Sequence, residues 1–312
     1  IEFRFTSCII LSKSSKEIIF SLSISVYSNL DFRSCTYFPA NIDKFIEPFV
    51  GGGSVFMNTV AKQFFLNDID SYIIGLHKYL CKAANRERDF FADLEVIIKE
   101  YGLSYSCKED NIPTELKRRY KKTYFAKYNK EAYEQMRSDF NESSKDNMSI
   151  LYLLLIYGFN RMLRFNKSGD FNLPVGNVDF NSNVASALED YFLEVKNKKP
   201  KWYNLDYKVF LKKLQLSEND FIYFDPPYLI TFSEYNKLWN EQDEIELLRL
   251  LDELNERNIR FAISNVTHYK DRQNDIFIEW AQKYHIHSIK SNYISYHDNS
   301  IKQFNEVLIT NY

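Results

Sequence analysis

The four residues that begin at Asp225 are the ones best suited to chemistry. Asp225-Pro226-Pro227-Tyr228 follows an apolar run that begins at Asp220, and the prolines end that run because proline cannot donate to a strand ladder. The prolines fix the backbone, so the Asp225 carboxylate and the Pro226 carbonyl form two acceptors beside the aromatic face of Tyr228. A turn that merely ends the strand is the alternative. The motif predicts a site for the exocyclic amino group of a heteroaromatic base.

A glycine run forms a second candidate site. Gly51 to Gly53 follow a short apolar strand and precede a helix-compatible stretch. Glycine lets the backbone come within contact distance of a ligand at the carboxyl end of a parallel strand. Asp68 ends the next strand, where Rossmann-like folds hold ribose hydroxyls with a carboxylate. The spacing is not that of GxGxxG, which disfavours a dinucleotide, and a tight structural turn is the alternative interpretation.

The elements that must position these sites alternate between strand and helix. This alternation predicts an α/β fold with a parallel sheet, right-handed crossovers and an antiparallel ending. Ser71 is the expected N-cap of a helix that runs to about Ala84. The expected later strands are 201–205, 220–225 and 260–264, with a final pair near 288–295 and 306–312.

A block from about Arg86 to Phe180 interrupts the alternation and looks inserted. Between Leu116 and Phe140 it holds eight basic and three acidic residues, in a stretch typical of a helix. This excess of positive charge favours contact with nucleic-acid phosphates, although a solvated helix face is the alternative. The candidate phosphate-binding residues are Arg118, Arg119, Lys121 and Lys122.

Several motifs together resemble one family. EPFVGGGSVF at 47–56, followed by DPPY at 225–228, resembles the site-specific adenine-N6 DNA methyltransferases of the Dam type, the D12 class. Asn67-Asp68 is similar to the acidic end of that family's second strand, and Asp206-Tyr207 to its acidic-aromatic pair after the third. Residues 164–176 resemble the family's hairpin that approaches DNA. The resemblance covers roughly residues 38 to 312.

The resemblance implies a Rossmann-like, S-adenosylmethionine-dependent methyltransferase fold with an inserted, mostly helical DNA-recognition domain. It also implies that a flipped adenine lies beside S-adenosylmethionine, with Asp225, Pro226, Pro227 and Tyr228 as catalytic residues. The implied cofactor-binding residues are Glu47, Phe49, Gly51, Gly53, Asp68, Asp206, Tyr207 and Asp225. The implied DNA-binding residues of the hairpin are Arg164, Asn166 and Lys167. No metal is expected.

The length and the net charge of the chain limit how it can be organised. Its 312 residues carry a net charge of −2, so a nucleic-acid surface must come from local clustering of basic residues. We expect residues 1–90 and 181–312 to form the two parts of the catalytic domain, with target recognition in 91–180.

The cysteine spacing and the length of the apolar runs indicate the compartment in which the protein works. Four widely spaced cysteines without a CxxC pair favour reduced thiols, and no apolar run approaches the roughly 20 residues that span a bilayer. We therefore expect a cytoplasmic monomer whose partner is double-stranded DNA, with a cognate restriction endonuclease as a functional partner.

One departure from the family leaves two alternatives open. The family opens with an aromatic-small-Gly-Gly-Lys segment that contacts the methionine end of the cofactor, and residues 1–37 contain no such segment. The first alternative is a DNA-binding homologue that has lost the cofactor. The second is an amino methyltransferase that acts on a substrate other than DNA.

Overall fold

The computed structural model describes residues 35–109, 111–231, 239–289 and 304–312. One twisted sheet forms its centre, with the strand order β3-β2-β1-β4-β5-β8-β7, and β6 pairs with β5. The strands are β1 Lys44–Glu47, β2 Gln63–Asn67, β3 Lys201–Tyr203, β4 Phe221–Phe224, β5 Arg260–Tyr269, β6 Arg272–Gln273, β7 His285–Ile289 and β8 Phe304–Thr310.

The strands from β3 to β5 in the sheet are parallel, whereas β8 is antiparallel to both β5 and β7. The predicted parallel sheet with an antiparallel ending is therefore confirmed. Ile46 on β1 pairs with Phe65 on β2 and with Ile222 on β4. From β1 the chain moves outward to β2 and β3 and then returns to β4 on the other side, so the strand order reverses between β1 and β4. Such a reversal opens a crevice at the carboxyl ends of the two strands.

Helices cover both faces of the sheet. They are α1 Ser54–Asn58, α2 Ser71–Ala83, α3 Glu87–Tyr101, α4 Thr114–Arg119, α5 Tyr124–Glu142, α6 Met148–Tyr157, α7 Ser182–Lys198, α8 Tyr207–Lys212, α9 Glu241–Glu256 and α10 Asp275–Ala281. None of the helices in the described ranges is long and apolar enough to cross a membrane.

Alternate residues of β4 serve two separate apolar clusters. Phe221 and Tyr223 belong to a cluster that also takes side chains from α2, α3, α5, α6 and α7. Ile222 and Phe224 belong to the other cluster, with side chains from α8, α9 and α10. Because both faces are covered, the strand is apolar along its whole length, which is the pattern that made it recognisable in the sequence.

The inserted block is mostly helical, as the sequence predicts, and its helices α3, α5 and α6 pack into the cluster they share with the sheet. A hairpin follows α6, closed by bridges between Gly158 and Val175 and between Phe165 and Phe171. Gly169 turns the hairpin at φ 77°, a conformation that suits glycine. Asn141 on α5 holds the returning strand, since its amide donates to the Phe171 carbonyl and accepts from the Phe171 N–H.

Some details differ from the sequence-based expectation. Strand β7 runs over His285–Ile289, whereas the expected strand was near 288–295, of which 290–295 lie outside the described residues. Asp70, not Ser71, caps α2, because its carboxylate reaches the amides of Tyr72 and Ile73. Strand β5 continues five residues past Ser264 to Tyr269, since it pairs with β8 beyond that point. The basic stretch is two helices, and Lys121 and Lys122 lie in the turn between them.

Candidate functional site

Asn67, the last residue of β2, ties together the ends of three neighbouring strands. Its side-chain amide donates to the carbonyls of Pro48 at 3.0 Å and Leu205 at 2.9 Å, and its side-chain oxygen accepts from the Leu205 N–H at 3.0 Å. Its own carbonyl accepts from the Val50 N–H at 2.8 Å. The side chain is fully buried and all of its hydrogen-bonding groups have partners. The loops after β1 and β3 are therefore held in one arrangement.

The glycine turn between β1 and α1 is held by Asp68. One carboxylate oxygen accepts from the Gly51 N–H at 2.9 Å, and the other accepts from the Asp70 N–H at 2.9 Å. Burial raises the pKa of Asp68 to about 6, against the opposing effect of these backbone donors. The predicted ribose-binding carboxylate thus lies directly against the predicted cofactor turn.

The glycines in this turn have different roles. Gly53 has φ 83°, and a Cβ there would lie 2.4 Å from the ring of Phe56, so no side chain fits. Gly51 has φ 48°, and no atom of the described residues lies within 4 Å of the position of its missing Cβ. Among the residues that the structure describes, the outer side of Gly51 is therefore open, as a backbone that receives a ligand must be.

His77 on α2 holds the same turn through a hydrogen bond to the Gly51 carbonyl. Its Nε2 lies 2.9 Å from the Gly51 carbonyl, and its Nδ1 lies 2.9 Å from the Tyr191 hydroxyl. Since a carbonyl only accepts, Nε2 carries the hydrogen and Nδ1 accepts from Tyr191. Complete burial lowers the pKa of His77 to about 4, so the ring is neutral. The sequence singled out no role for His77, although a histidine on the apolar face of a helix is a detectable signal.

Aromatic side chains gather where β1 and β3 end. The Phe49 ring lies 5.1 Å from that of Tyr207 and 6.0 Å from that of Trp239. The Trp239 N–H donates to the buried Glu244 carboxylate at 2.8 Å, which orients the indole. Asp206 is exposed and caps α8 by accepting from the Lys208 N–H at 2.9 Å. These residues make an aromatic wall of mutually tilted rings with a carboxylate at its edge.

The DPPY turn leaves β4 beside the glycine turn, because β1 and β4 are adjacent parallel strands. The Tyr228 hydroxyl oxygen lies 2.9 Å from Asp225 Oδ1 and 3.0 Å from Glu306 Oε1. Burial and the two carboxyl groups raise the pKa of Tyr228 well above its ordinary value. Glu306 is a residue that sequence reasoning missed. Its signal was an isolated acid at the start of an otherwise apolar strand.

The hairpin residues are held largely by the hairpin itself. The Arg164 guanidinium donates to the side-chain oxygen of Asn172 at 2.8 Å and to its carbonyl at 2.6 Å. Asn166 shapes the tip, since its side-chain oxygen accepts from the N–H groups of Ser168 and Asp170. Lys167 is exposed at that tip. The hairpin itself thus sets the orientation of the Arg164 guanidinium.

The basic cluster lies close to the base of this hairpin. Asn177, just after the hairpin, donates to the Lys122 carbonyl and accepts from the Ala126 N–H. Arg118 is exposed and pairs with Glu115, and Arg119 lies over the ring of Tyr120. The structure therefore brings the hairpin and the basic cluster together.

Phe159 is a further residue missed by the sequence. Its side chain is 47% exposed, at a turn where Asn160 and Arg161 both have positive φ. Positive φ values at two consecutive residues other than glycine raise the conformational energy of the backbone. Strain of this kind is concentrated at functional sites. An exposed ring beside the hairpin offers a surface on which a base can stack.

Comparison with known proteins identifies the family. A family model described as D12 class N6 adenine-specific DNA methyltransferase matches residues 35–294. The chain belongs to this family. The predicted resemblance is thereby confirmed, and so is the methyltransferase type of α/β fold. Members of such families generally use S-adenosylmethionine.

Named relatives are modification enzymes. The chain is 34% identical to the type II methyltransferase M.FokI of Planomicrobium okeanokoites over 285 residues, which are 88% of this chain and 40% of that protein. It is 32% identical to the modification methylase StsI of Streptococcus sanguinis, again over 88% of this chain and 40% of the relative. The DNA adenine methylase of Escherichia coli K12 is 26% identical over 78% of this chain and 77% of its own length. The chain thus spans less than half the length of the first two relatives.

The buried amide of Asn67 generates a test of how the site is held. We expect Asn67→Asp to lower the free energy of unfolding by about 3 kcal/mol or more, because it places carboxylate oxygens against two carbonyls. Asn204→Asp is the matched control, since the Asn204 amide also donates to two carbonyls, both at 2.9 Å, but is exposed. Urea unfolding measures both variants. Equal losses would show that solvent reaches Asn67 and that it does not tie the strands.

Proposed function

We propose that this chain transfers a methyl group from S-adenosylmethionine to N6 of an adenine flipped out of duplex DNA. The observation that carries this proposal is the position of the glycine turn and the DPPY turn. In a chain of the D12 family, they leave the adjacent strands β1 and β4 on the two sides of the point where the strand order reverses. A cofactor on one side then faces an acceptor group on the other.

The residues present fit the cofactor. The open outer side of Gly51 allows close approach to the backbone, and Asp68 has lone pairs that accept ribose hydroxyls as well as the amides it already holds. Phe49 and Tyr207 offer a wall for the adenine ring, with Asp206 as an acceptor for its amino group. Glu47 is buried at the end of β1, at the same edge. S-adenosylmethionine supplies an activated methyl group on its sulfonium when bound.

The target amino group needs help from the protein. Its lone pair is delocalised into the adenine ring and is a poor nucleophile. Hydrogen bonds from N6–H to Asp225 and to the Pro226 carbonyl favour a pyramidal nitrogen whose lone pair points along the line of transfer. Alignment of this kind accounts for about 7 to 11 kcal/mol in intramolecular reactions. Stacking on the Tyr228 ring offsets the few kcal/mol of unstacking that flipping costs.

The insertion is proposed to recognise duplex DNA. Arg164, Asn166 and Lys167 approach base edges and the nearby backbone, while Arg118, Arg119, Lys121 and Lys122 contact phosphates. The closeness of hairpin and cluster, joined through Asn177, supports one continuous DNA-facing surface. We also propose that the enzyme acts alongside a cognate restriction endonuclease, which the names of the type II relatives suggest.

Asp225 is the residue on which transfer is proposed to depend. We expect Asp225→Ala to abolish methylation and Asp225→Asn to retain weak activity at most, because the acceptor for N6–H is lost. Incorporation of labelled methyl groups into duplex DNA measures this, and sequencing of methylated bases in expressing cells identifies the site. An unchanged midpoint of thermal unfolding is the control for folding. Wild-type transfer by either variant would move catalysis elsewhere.

Asp68 makes cofactor affinity depend on pH. The ionised carboxylate is the better acceptor for ribose hydroxyls, and its pKa is raised to about 6. We therefore expect affinity for S-adenosylhomocysteine to be full above pH 6 and to fall by at most about tenfold per pH unit below it. Calorimetry between pH 5 and pH 7 measures the effect, with Asp68→Asn as the control that flattens it. No binding at any pH would favour the cofactor-deficient alternative.

Mutations should distinguish the two proposed kinds of DNA contact, which are base readout by Arg164 and phosphate contact by the basic cluster. Arg164→Ala should relax discrimination at one base pair by about 1 to 3 kcal/mol. Neutralising the four-residue basic cluster should weaken binding to all duplexes and lower the salt slope by about one unit per lost phosphate contact. Binding to cognate and single-mismatch duplexes at several salt concentrations decides between them.

Asn172→Ala is the control for the Arg164 experiment, because it removes the side-chain hydrogen bond that orients the guanidinium and leaves the guanidinium in place. A loss of discrimination equal to that of Arg164→Ala would mean that hairpin order, and not a base contact, sets specificity. A substrate panel with protein and RNA acceptors tests the remaining alternative. Methylation of those and not of DNA would replace the proposed substrate.

A further inference from the structure

Glu306 is a buried acid within hydrogen-bonding distance of the proposed catalytic turn. Only 1% of it is exposed, and it lies near the start of β8, where it pairs with Val266 on β5 and with Ile289 on β7. Its backbone is therefore fixed from both sides. A side chain that leaves a strand held in this way has little freedom to move.

The Tyr228 hydroxyl connects Glu306 with Asp225. Its oxygen lies 3.0 Å from Glu306 Oε1 and 2.9 Å from Asp225 Oδ1, both within hydrogen-bonding distance. A hydroxyl carries one hydrogen, so it donates to one carboxyl group and must accept from the other. If both carboxyl groups were ionised, one of them would face the lone pairs of Tyr228 across the same short distance.

The environment indicates which of the two holds the proton. Glu306 is almost completely buried, whereas Asp225 is partly exposed at the sheet edge. Ionisation of a group is penalised most where water is excluded. Burial therefore favours the neutral form at Glu306 over the neutral form at Asp225.

We propose that Glu306 is a positioning residue for the catalytic carboxylate: its protonated carboxyl donates to the Tyr228 oxygen, and the Tyr228 hydroxyl donates to Asp225 Oδ1. This inference rests on the proposed function, since Asp225 needs a set orientation only if it meets an incoming base. The chain of hydrogen bonds sets the rotation of the Asp225 carboxylate before the adenine arrives. Such preorganisation requires no rearrangement when the base binds.

Single-turnover methylation of duplex DNA tests the proposal. We expect Glu306→Leu and Tyr228→Phe each to slow transfer by about 10²-fold, the scale on which misplaced groups reduce rates. The dissociation constants for S-adenosylhomocysteine and DNA should stay unchanged, because neither variant alters a proposed contact with the cofactor or the phosphates. Glu306→Gln should retain most of the rate, since its amide N–H replaces the carboxyl hydrogen.

The rate losses of the two variants should also be non-additive. Both act through one hydroxyl, so the Glu306→Leu, Tyr228→Phe double variant should be as slow as either single variant. Asp220→Asn is the matched control, because Asp220 is a buried carboxyl at the opposite end of β4, 3.0 Å from Lys44. It should lower thermal stability and leave the single-turnover rate unchanged.

Infrared spectroscopy provides a measurement that does not need activity. The carbonyl stretch of a protonated carboxylic acid should be present in the wild type and missing in Glu306→Gln. A wild-type rate in Glu306→Leu, a Gln variant as slow as the Leu variant, additive losses, or an unchanged infrared band would each overturn the proposal. A wild type that transfers no methyl group would instead refute the proposed function, and the infrared band would still decide the hydrogen bonding of Glu306.

Discussion

The hydrogen bonds of one buried amide hold the proposed active site together. The chain leaves the sheet at the ends of β1, β2 and β3, and each of these exits would be free to vary without a common partner. Asn67 binds the chain after β1 and β3 from the end of β2. Water does not reach these groups, so each bond that is broken leaves a polar atom buried without a partner. The Asp68 carboxylate, one residue later, is placed against the glycine turn by the same arrangement.

The turn is also held from the opposite side. His77 hydrogen-bonds to the carbonyl of Gly51 and Asp68 hydrogen-bonds to its N–H, so both polar backbone groups of Gly51 are held in place. The His77 ring stacks on Trp202 at 4.2 Å and contacts Tyr191, which belongs to α7, the first helix after the hairpin. The geometry of the proposed cofactor turn is therefore connected through direct contacts to the part of the chain that follows the proposed DNA-recognition insertion.

Strands buried on both faces and glycine or proline at their ends were readable from the sequence, because local composition determines them. The run Phe221–Phe224 followed by Pro226 is an example, and the glycines after Glu47 are another. Side chains that meet across the fold were not readable. Glu306 is 78 residues from Tyr228 along the chain, and nothing local in β8 indicates that it meets the DPPY turn. The N-cap at Asp70 was misplaced by one residue, since two adjacent polar residues both suit a cap.

The base of the hairpin has a consequence for how recognition can diversify. Gly158 and Gly176 approach so closely that a Cβ on Gly176 would lie 2.5 Å from the Gly158 carbonyl oxygen, and one on Gly158 would lie 2.6 Å from the Leu154 carbonyl. A larger residue at either position would push the hairpin away from α6 by steric overlap. At the tip, by contrast, no described atom lies within 4 Å of the position that a Cβ on Gly169 would take. In the role proposed for the hairpin, new target sequences are therefore reached more easily by exchanging tip residues on a constant stem than by docking the stem at a new angle.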